Sequence, residues 1–347
     1  MKILVCPDSF KGTLSASEAA RCIRDGILSV RTEADVVTLP IGDGGEGTAD
    51  SISSALQNME RITIPTIDPL GRPIHASYGI IDNSKAIIET AAASGLTLLR
   101  REERDVMKAD TAGTGLLIAD AYTRGIRSFI ICMGGTATCD GGYGAYGVLK
   151  NMDLHDVSFT LLCDVDNPFC GSAGAVAVFA PQKGATPDMM PCLETNMKEK
   201  AEYYREISGI DISDSRFAGA AGGLAGMLMA CYGAQPVTGI NKVLELIKFD
   251  EYLKGVELVV TGEGKADATT LRGKAAKGIL DATKRFDRKI DVVLVAGRVE
   301  QKELLAKTGF DHIIEATPRE SDPYAFPSLH LKKSIINFFK THYNHEN

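Results

Sequence analysis

The chain has 347 residues, of which 44% are hydrophobic and 24% are charged, as is ordinary for a globular protein of two domains or one large α/β unit. Its formal net charge of -7 argues against a general nucleic-acid-binding protein, which normally presents a basic face. The eight cysteines show no CxxC pairing, and several lie in apolar runs. This usage is typical of reduced thiols, argues against a structural zinc site and predicts a cytoplasmic protein.

The N-terminal segment predicts two strands that alternate with two helices. Residues 2–6 form a short apolar run typical of a buried strand, and a second strand is expected over 35–40. Between them, Ser15 and Glu18 have the spacing of a capping box, which marks the start of a helix. A helix over 48–56 overlaps the end of the glycine-rich stretch IGDGGEGTAD. This βαβα order implies a parallel sheet.

The middle of the chain follows another pattern. Residues 62–90 contain short strand-like runs broken by proline and glycine, which predicts an antiparallel excursion. Helices and strands alternate again afterwards, with strands expected at 128–133, 158–163, 257–262, 291–297 and 311–317. We therefore expect a discontinuous domain built from both termini, residues 1–68 plus 256–347, with a second mixed α/β domain, residues 69–255, inserted in it.

Residues 217–234 carry no charge and contain Gly222 and Gly226 in a GxxxG arrangement, a pattern of closely packed membrane helices. The segment is rich in glycine, however, and polar residues follow it. A buried helix with a face for close approach is therefore favoured over a membrane span.

Three loops at predicted strand ends combine glycine with carboxylates, and two of them also carry lysine: PDSFKGT, GDGGEGT and TGEGKADATTLRGK. In an open parallel sheet, ligands bind at the carboxyl ends of the strands. Backbone amides at a helix start bind phosphate, and lysine adds a positive charge. The carboxylates would repel a bare anion, so they indicate Mg²⁺ shared with the phosphates. On this hypothesis, glycine lets phosphate approach the backbone and the acidic residues hold the metal.

A fourth loop, residues 133–147, hides a GxGxxG match at Gly142, Gly144 and Gly147. The match is weak as a dinucleotide fingerprint because it begins several residues after the predicted strand. It nevertheless leaves a dinucleotide-dependent oxidoreductase of a small hydroxy acid open, beside a non-catalytic nucleotide-binding sensor. Asp164 and Asp166 fit either a metal site or an ordinary Asp-Asn-Pro turn. No GxSxG occurs, which argues against a Ser-His-Asp hydrolase.

The glycine-rich loops and several other stretches, in this order, resemble the type-1 glycerate kinase family of bacteria. The matching stretches are PDSFKGTLSA (7–16), GDGGEGTAD (42–50), TAGTG (111–115), GGTATCDGG (134–142), CDVDNPFCG (163–171), FAPQKGA (179–185), GAAGGL (219–224) and TGEGKADATTLRGK (261–274). They span nearly the whole chain. Two positions depart from the family pattern, since Cys139 stands where asparagine is expected and Thr269 where glutamine is expected.

The resemblance implies two α/β domains, one Rossmann-like or flavodoxin-like and discontinuous, with a cleft between them. It also implies transfer of the γ-phosphoryl group from ATP to D-glycerate, giving a 2- or 3-phosphoglycerate. Mg²⁺ is the expected metal. No nucleic-acid or membrane partner is expected, and the oligomeric state is left open with a homodimer as one candidate.

Roles for individual residues follow from their chemistry and their loop positions. Asp267 is expected to accept the proton of the substrate hydroxyl, with Asp8 as its rival, while Lys11 and Ser9 hold the glycerate carboxylate or the moving phosphoryl group. The full set of catalytic candidates is Asp8, Lys11, Asp267 and Lys274. The substrate- or phosphate-binding candidates are Ser9, Gly44, Gly45, Gly134, Gly135, Thr136, Asp140, Glu263 and Arg272, and the metal candidates are Asp43 and Glu46.

Overall fold

A computed structural model describes residues 1–45, 47–56, 58–271, 274–322 and 324–343 of the chain. It divides into two compact units. The first unit comprises Met1–Asp43, Asp50–Gln57 and Ile240–Asn347, and the second comprises Gly44–Ala49 and Asn58–Gly239. The predicted bounds, 1–68 plus 256–347 and 69–255, differ from these contact-defined units and stay a prediction about folding domains.

The secondary structure alternates between strands and helices along most of the chain. The described strands are β1 (Lys2–Val5), β2 (Asp35–Thr38), β3 (Met59–Ile67), β4 (Pro73–Ile81), β5 (Lys85–Glu89), β6 (Ser128–Cys132), β7 (Ser158–Cys163), β8 (Gln235–Thr238), β9 (Leu258–Ala266), β10 (Asp291–Val299) and β11 (His312–Glu315). The described α-helices are α1 (Ala16–Leu28), α2 (Thr48–Ala55), α3 (Ala91–Ser94), α4 (Ala112–Thr123), α5 (Tyr143–Leu149), α6 (Ala175–Phe179), α7 (Met190–Ser208), α8 (Leu224–Tyr232), α9 (Gly239–Leu246), α10 (Phe249–Tyr252), α11 (Ala275–Phe286), α12 (Lys302–Ala306) and α13 (Pro327–His342).

The sheet of the first unit is parallel throughout, with the strand order β11-β10-β9-β1-β2. From β1 the chain adds β2 on one side, and it later adds β9, β10 and β11 on the other side. The direction of strand addition therefore reverses at β1 and β9. Such a reversal leaves a crevice beside the carboxyl ends of the two strands, where open α/β sheets bind their ligands.

Helices α1 and α13 cover one face of this sheet, where Ile23 and Ile335 join a buried apolar cluster with strand residues such as Val260. The predicted capping box begins α1 as expected. The Ser15 hydroxyl accepts from the Glu18 N–H at 3.2 Å, and the Glu18 carboxylate accepts from the Ser15 N–H at 2.8 Å. These bonds satisfy two donors that a helix start would otherwise leave unpaired.

Strands β9 and β10 are longer than predicted, and the difference moves part of the expected loop into the sheet. Their pairing continues through Glu263 with Ala296 to Ala266 with Val299. Residues 263–266 of the stretch TGEGKADATTLRGK are therefore strand residues and not loop residues. Because side chains alternate along a strand, successive residues of 263–266 face opposite sides of the sheet.

The second unit has a mixed sheet with the strand order β3-β4-β5-β6-β7-β8. The pairs β3–β4 and β4–β5 are antiparallel, and β5 to β8 pair in parallel. This arrangement confirms the predicted antiparallel excursion. Its core includes the stacked rings of Phe129 and Phe159, whose centroids lie 5.1 Å apart.

The glycine-rich segment 217–234 was only partly predicted. The helix begins at Leu224, because Gly222 and Gly223 adopt φ of 67° and 96°, which a right-handed helix does not allow. A Cβ atom on Gly222 would lie 1.9 Å from the carbonyl oxygen of Thr138, so a tight turn against neighbouring backbone explains this glycine. Gly226 does give close approach, since its Cβ would lie 2.5 Å from the Phe169 ring. None of the described helices has the length and apolar character that a membrane span requires.

Candidate active site

The loop that follows β1 packs backbone against backbone on the carboxyl-terminal half of β9. The Asp8 N–H donates to the Gly262 carbonyl at 2.8 Å. A Cβ atom on Gly264 would lie 3.1 Å from the Lys11 nitrogen, and one on Gly262 would lie 2.4 Å from the Val295 carbonyl oxygen. Gly264 therefore lets the residues after β1 approach β9 closely, and Gly262 lets β10 approach β9 closely.

A cavity of about 260 Å³ lies at this edge of the first unit's sheet. It brings together six of the predicted site residues, which are Asp8, Ser9, Lys11, Asp43, Glu263 and Lys274. The prediction that the ends of neighbouring parallel strands would gather these side chains agrees with this geometry. Three carboxylates, three lysines and one arginine line this small cavity and form a charged surface suited to a polar, ionised ligand.

Asp8 is a buried carboxyl with little hydrogen bonding of its own. Only 8% of the residue is exposed, and its Oδ1 accepts from the Ser9 N–H at 2.6 Å. Burial, followed by repulsion from Asp43, raises the pKa of the Asp8 carboxyl to about 8. Lys11 opposes this shift, and Glu263 adds to it. Asp8 therefore titrates close to neutral pH, where a carboxyl can exchange protons with a substrate.

Glu263 has one oxygen paired and one that no described atom satisfies. Its Oε2 lies 3.5 Å from the Lys274 ammonium, while its Oε1 is buried and accepts no hydrogen bond from the part of the chain that the structure describes. Burial raises the pKa of this carboxyl, and Lys274 acts in the opposite direction. A buried acceptor without a donor is costly in a folded protein, so such an atom is a candidate contact for a ligand or ion.

Asp267 is absent from the residues that line the cavity. Its Oδ1 accepts from both the N–H and the hydroxyl of Thr269, at 2.8 and 2.6 Å. The Thr269 hydroxyl is the largest cause that holds the pKa of the Asp267 carboxyl below its usual range. Thr269, which departs from the family pattern, therefore orders this turn. A carboxylate engaged and acidified in this way is a poor proton acceptor.

Glu46 and Arg272, predicted to bind metal and phosphate, lie outside the described residues. Among the residues that the structure does describe, no three His, Cys, Asp or Glu side chains are grouped closely enough to hold a metal ion. Asp166 of the alternative metal site is largely exposed and pairs with Arg216 at 3.2 Å. This exposed ion pair favours the turn interpretation of that segment.

Packing explains Gly44, which begins the second unit's short 44–49 segment. Its φ is 105°, and a Cβ atom there would lie 2.9 Å from the Leu162 side chain and 3.0 Å from Gly239. Its N–H donates to the Thr48 hydroxyl at 3.0 Å, and the Gly45 carbonyl accepts from the Thr48 N–H at 3.4 Å. A close fit against β7 thus requires glycine here before any ligand is considered.

The loop after β6 carries the predicted phosphate-binding residues Gly134, Gly135 and Thr136. The Gly134 carbonyl accepts from the Thr90 hydroxyl at 3.1 Å, and the Gly135 carbonyl accepts from the Leu96 N–H at 2.8 Å. These bonds brace the loop from the β5–α3 side. These hydrogen bonds do not test whether the loop binds phosphate, so that role stays a prediction.

Lys183 anchors the same loop, although no role was predicted for it from the sequence. Its ammonium donates to the Thr136 hydroxyl at 3.1 Å and to the Thr138 carbonyl at 2.7 Å, with 4% of the residue exposed. Burial lowers the pKa of this amine. The stretch FAPQKGA had marked the position, but a lysine's partners 45 and 47 residues away cannot be found from spacing.

Asp140 is fully engaged within the second unit. Its carboxylate accepts from the N–H and the hydroxyl of Thr111 at 3.0 and 2.8 Å, and from the N–H groups of Gly142 and Gly144 at 3.2 and 3.0 Å. These four donors favour the charged form, although burial still raises the pKa of the carboxyl. The arrangement ties the loop to the start of α4 and gives Asp140 a structural role beside the ligand role predicted for it.

The GxGxxG match lies at the start of α5 and packs against another helix. Gly142 precedes α5 with φ of 78°, and a Cβ atom on Gly144 would lie 2.6 Å from the Ala112 nitrogen at the start of α4. Helix packing therefore explains Gly144. The match follows β6 only after an intervening loop, unlike the dinucleotide fingerprint, in which the first glycine follows the strand directly.

The Glycerate kinase family model matches residues 3–152 and 147–327 of the chain. The chain belongs to the glycerate kinase family. Members of this family are kinases, so the chain is an enzyme of the phosphotransferase class. The resemblance stated from the motifs is thereby confirmed.

Individual relatives agree with this assignment over most of their length. The chain is 38% identical to a glycerate kinase of Bacillus subtilis (strain 168) over 92% of this chain and 91% of the relative. It is 37% identical to a glycerate 2-kinase of Escherichia coli (strain K12) over 86% of this chain and 85% of the relative. A crystal structure from Salmonella typhimurium LT2, of a protein named as a candidate glycerate kinase 2, matches with a TM-score of 0.79 and 33% identity over 98% of both chains.

Proposed function

We propose that this member of the glycerate kinase family transfers the γ-phosphoryl group of ATP to D-glycerate, giving 2-phosphoglycerate. The observation that carries the proposal is the cavity in which Lys11 and Lys274 meet the buried carboxyls of Asp8, Asp43 and Glu263. Phosphoryl transfer requires mainly positioning and stabilisation of charge, and such a cavity supplies both. The choice of the 2-hydroxyl rests on the relative from Escherichia coli that is named a glycerate 2-kinase.

We propose Asp8, rather than Asp267, as the group that accepts the proton of the glycerate hydroxyl. Asp8 lines the cavity, and its pKa of about 8 matches proton transfer near neutral pH. Asp267 is held by Thr269 and has a lowered pKa. The oxygen of the deprotonated hydroxyl then attacks the γ-phosphorus, and the bond from that phosphorus to the bridging oxygen of ADP breaks.

Lys11 and Lys274 are the proposed electrostatic contacts to the moving phosphoryl group. Both line the cavity, and Lys274 lies beside Glu263 at 3.5 Å. A fixed positive charge that faces the equatorial oxygens stabilises the transition state more than the ground state. Ser9 is the proposed hydrogen-bond donor to the glycerate carboxylate, because it lines the same cavity beside Asp8.

Mg²⁺ is the proposed metal, and Asp43 is its proposed ligand in the first unit. Carboxylate oxygens are the hard ligands that Mg²⁺ prefers, and Asp43 is 6% exposed in the cavity wall. The buried, unsatisfied Oε1 of Glu263 also suits a cation or its bound water. When bound, the ion neutralises phosphate charge; because protein ligands to Mg²⁺ are few, the phosphate oxygens would complete its shell. Glu46 stays a predicted second ligand.

The proposal is tested by following ADP release in a coupled assay with D-glycerate, L-glycerate and other small hydroxy acids as acceptors. We expect turnover that depends on Mg²⁺ and is highest with D-glycerate, and NMR of the product should show phosphate on carbon 2. Asp8→Asn is the matched control for contaminating kinases. Turnover with another acceptor and none with glycerate would contradict the substrate, while phosphate on carbon 3 would contradict only the position.

Two further parts of the proposal concern the state of the protein. We propose a cytoplasmic enzyme, in keeping with eight cysteines that are all free thiols.

A homodimer is the other predicted feature. Light scattering coupled to size-exclusion chromatography measures the mass directly, and a monomer over the whole concentration range would rule the dimer out.

A further inference from the structure

The wall of the first unit's cavity has two chemically different parts. One part is charged and comes from residues at or beyond the carboxyl ends of β1, β2, β9 and β10, together with Lys274 before α11. The other is apolar or aromatic and comes from Phe10 together with residues that follow β11 or lie in α13. The residues of this apolar wall are Phe10, Ala316, Tyr324, Pro327 and Leu331. A ligand that fits both parts must combine an ionised end with a flat or apolar end.

Glycerate does not have that combination. It has three carbons, and each carries an oxygen, so it offers no apolar surface to the apolar wall. An adenine nucleotide does have it, because its polyphosphate is anionic and its base is a flat aromatic ring. The chemistry of the wall therefore fits a nucleotide better than it fits the acceptor.

Tyr324 is the aromatic member of this wall and is unusually accessible. It is 68% exposed, and its Cε1 lies 3.4 Å from where a Cβ atom on Gly12 would stand. The ring is thus next to the loop that carries Lys11. Aromatic side chains normally bury much of their area when a protein folds. An exposed ring at a cavity is consequently available to stack on a ligand.

The segment that carries Tyr324 is braced at the main chain. The Arg298 guanidinium donates to four backbone carbonyls at 3.1, 3.0, 3.3 and 2.6 Å, those of Thr317, Pro318, Arg319 and Ser321. In addition, the N–H of Thr317 donates to the Gly297 carbonyl at 3.1 Å. The aromatic ring therefore extends from a segment that is fastened to the end of β10.

We propose that the apolar wall is the nucleotide-base site and that Tyr324 stacks on the adenine ring of ATP. This inference rests on the proposed function in one respect, the use of ATP. It places the base against Ala316, Tyr324, Pro327 and Leu331 and the phosphates toward Lys11 and Lys274, all within the first unit. Tyr324 is a binding residue on this proposal and takes no part in the chemical step.

The test measures binding to the full chain by calorimetry with two probes, ADP and inorganic tripolyphosphate. Tyr324→Ala should weaken ADP binding about tenfold, the size typical of removing one base-stacking side chain. It should leave tripolyphosphate binding unchanged, because that probe has no base. Tyr324→Phe keeps the ring and should bind ADP like wild type. Phe326→Ala is the matched control, since Phe326 is 73% exposed nearby but does not line the cavity.

Each outcome decides the inference. Unchanged ADP binding by Tyr324→Ala overturns it, and equal weakening with both probes overturns it in favour of a structural role. The expected pattern without any phosphorylation of glycerate leaves the base site standing and removes the proposed acceptor. Glycerate phosphorylation by an enzyme whose Tyr324→Ala variant binds ADP normally removes the base site and leaves the function. If wild type binds neither probe, both proposals fall.

Discussion

Two carboxyls lie in loops that follow strands, Asp8 after β1 in the first unit and Asp140 after β6 in the second. Burial raises the pKa of both. Asp140 accepts four hydrogen bonds from its own unit, whereas the hydrogen bond known for Asp8 is the one from the neighbouring Ser9 N–H. Next to Asp8, the Oε1 of Glu263 has no partner among described atoms. Buried polar groups that are satisfied hold a fold together, and those that are unsatisfied indicate a place for a ligand.

The largest expected effect tests whether Asp8 takes part in the reaction. Asp8→Asn removes the proposed proton acceptor while it keeps the shape, so kcat should fall by about 10²–10⁴-fold. The same variant should remain folded, because it places a neutral group where burial disfavours a charge. Steady-state kinetics with a thermal melt check both parts. A near-normal kcat would mean that another group accepts the proton of the glycerate hydroxyl. The matching Asp267→Asn variant would show whether that group is Asp267.

The second prediction concerns the lysine beside Asp8. Lys11→Ala should lower kcat by about 10²-fold or more, as the loss of one preorganised charge contact does. The Lys11 side chain is exposed, so the melting temperature should stay close to that of wild type. Lys265→Ala is a matched control, because Lys265 lines the same cavity, pairs with Glu300 at 3.0 Å and has no proposed role in the reaction. A loss of equal size in the control would indicate a general effect of charge.

The opposite behaviour is expected at Asp140. Asp140→Ala leaves buried donors of Thr111, Gly142 and Gly144 unpaired, which should lower the free energy of unfolding by about 3 kcal/mol. Chemical denaturation measures this loss. Asp140→Asn retains an acceptor oxygen and should lose less. A stable Asp140→Ala protein with reduced kcat would instead support direct ligand binding by this residue.

The last prediction concerns the pH dependence of stability. Asp8 has a folded-state pKa of about 8, above its unfolded value of 3.8, so the folded state holds the proton more tightly. The stability due to this proton is complete below pH about 4 and is lost as pH rises towards 8. Asp8→Asn removes this titration, so its melting temperature should gain on that of wild type between these limits. Parallel pH profiles of the two proteins would contradict the raised pKa.

Much of the first unit's site could be predicted because its geometry follows from topology. Parallel strands that are neighbours end at one edge, so the sequence alone predicts that Asp8, Lys11 and Glu263 meet there. The extension of β9 through Ala266 was missed. Pairing with β10 maintains it, and the glycine and charged residues of that stretch give no local signal for a strand.

The contacts of the second unit were harder to predict because they join distant parts of the chain. Thr111 and Asp140 are 29 residues apart, and Lys183 meets the loop at Thr136 across 47 residues. Similarly, Gly222 has a left-handed φ and packs against the Thr138 carbonyl. The periodicity of the sequence does not predict this contact. The sequence motifs marked these positions as unusual, but only tertiary packing distinguishes a bound ligand from an internal hydrogen bond.

Arg298 donates to main-chain carbonyls of residues 317–321. Every amino acid has such a carbonyl group. The path of this segment is therefore independent of most of its side chains. Relatives that keep the arginine can replace residues of the segment without moving it, and the replacements would alter what the cavity recognises beside the phosphates. A preference among nucleotide bases could in this way drift during evolution while the carboxylates and lysines at the ends of β1 and β9 stay unchanged.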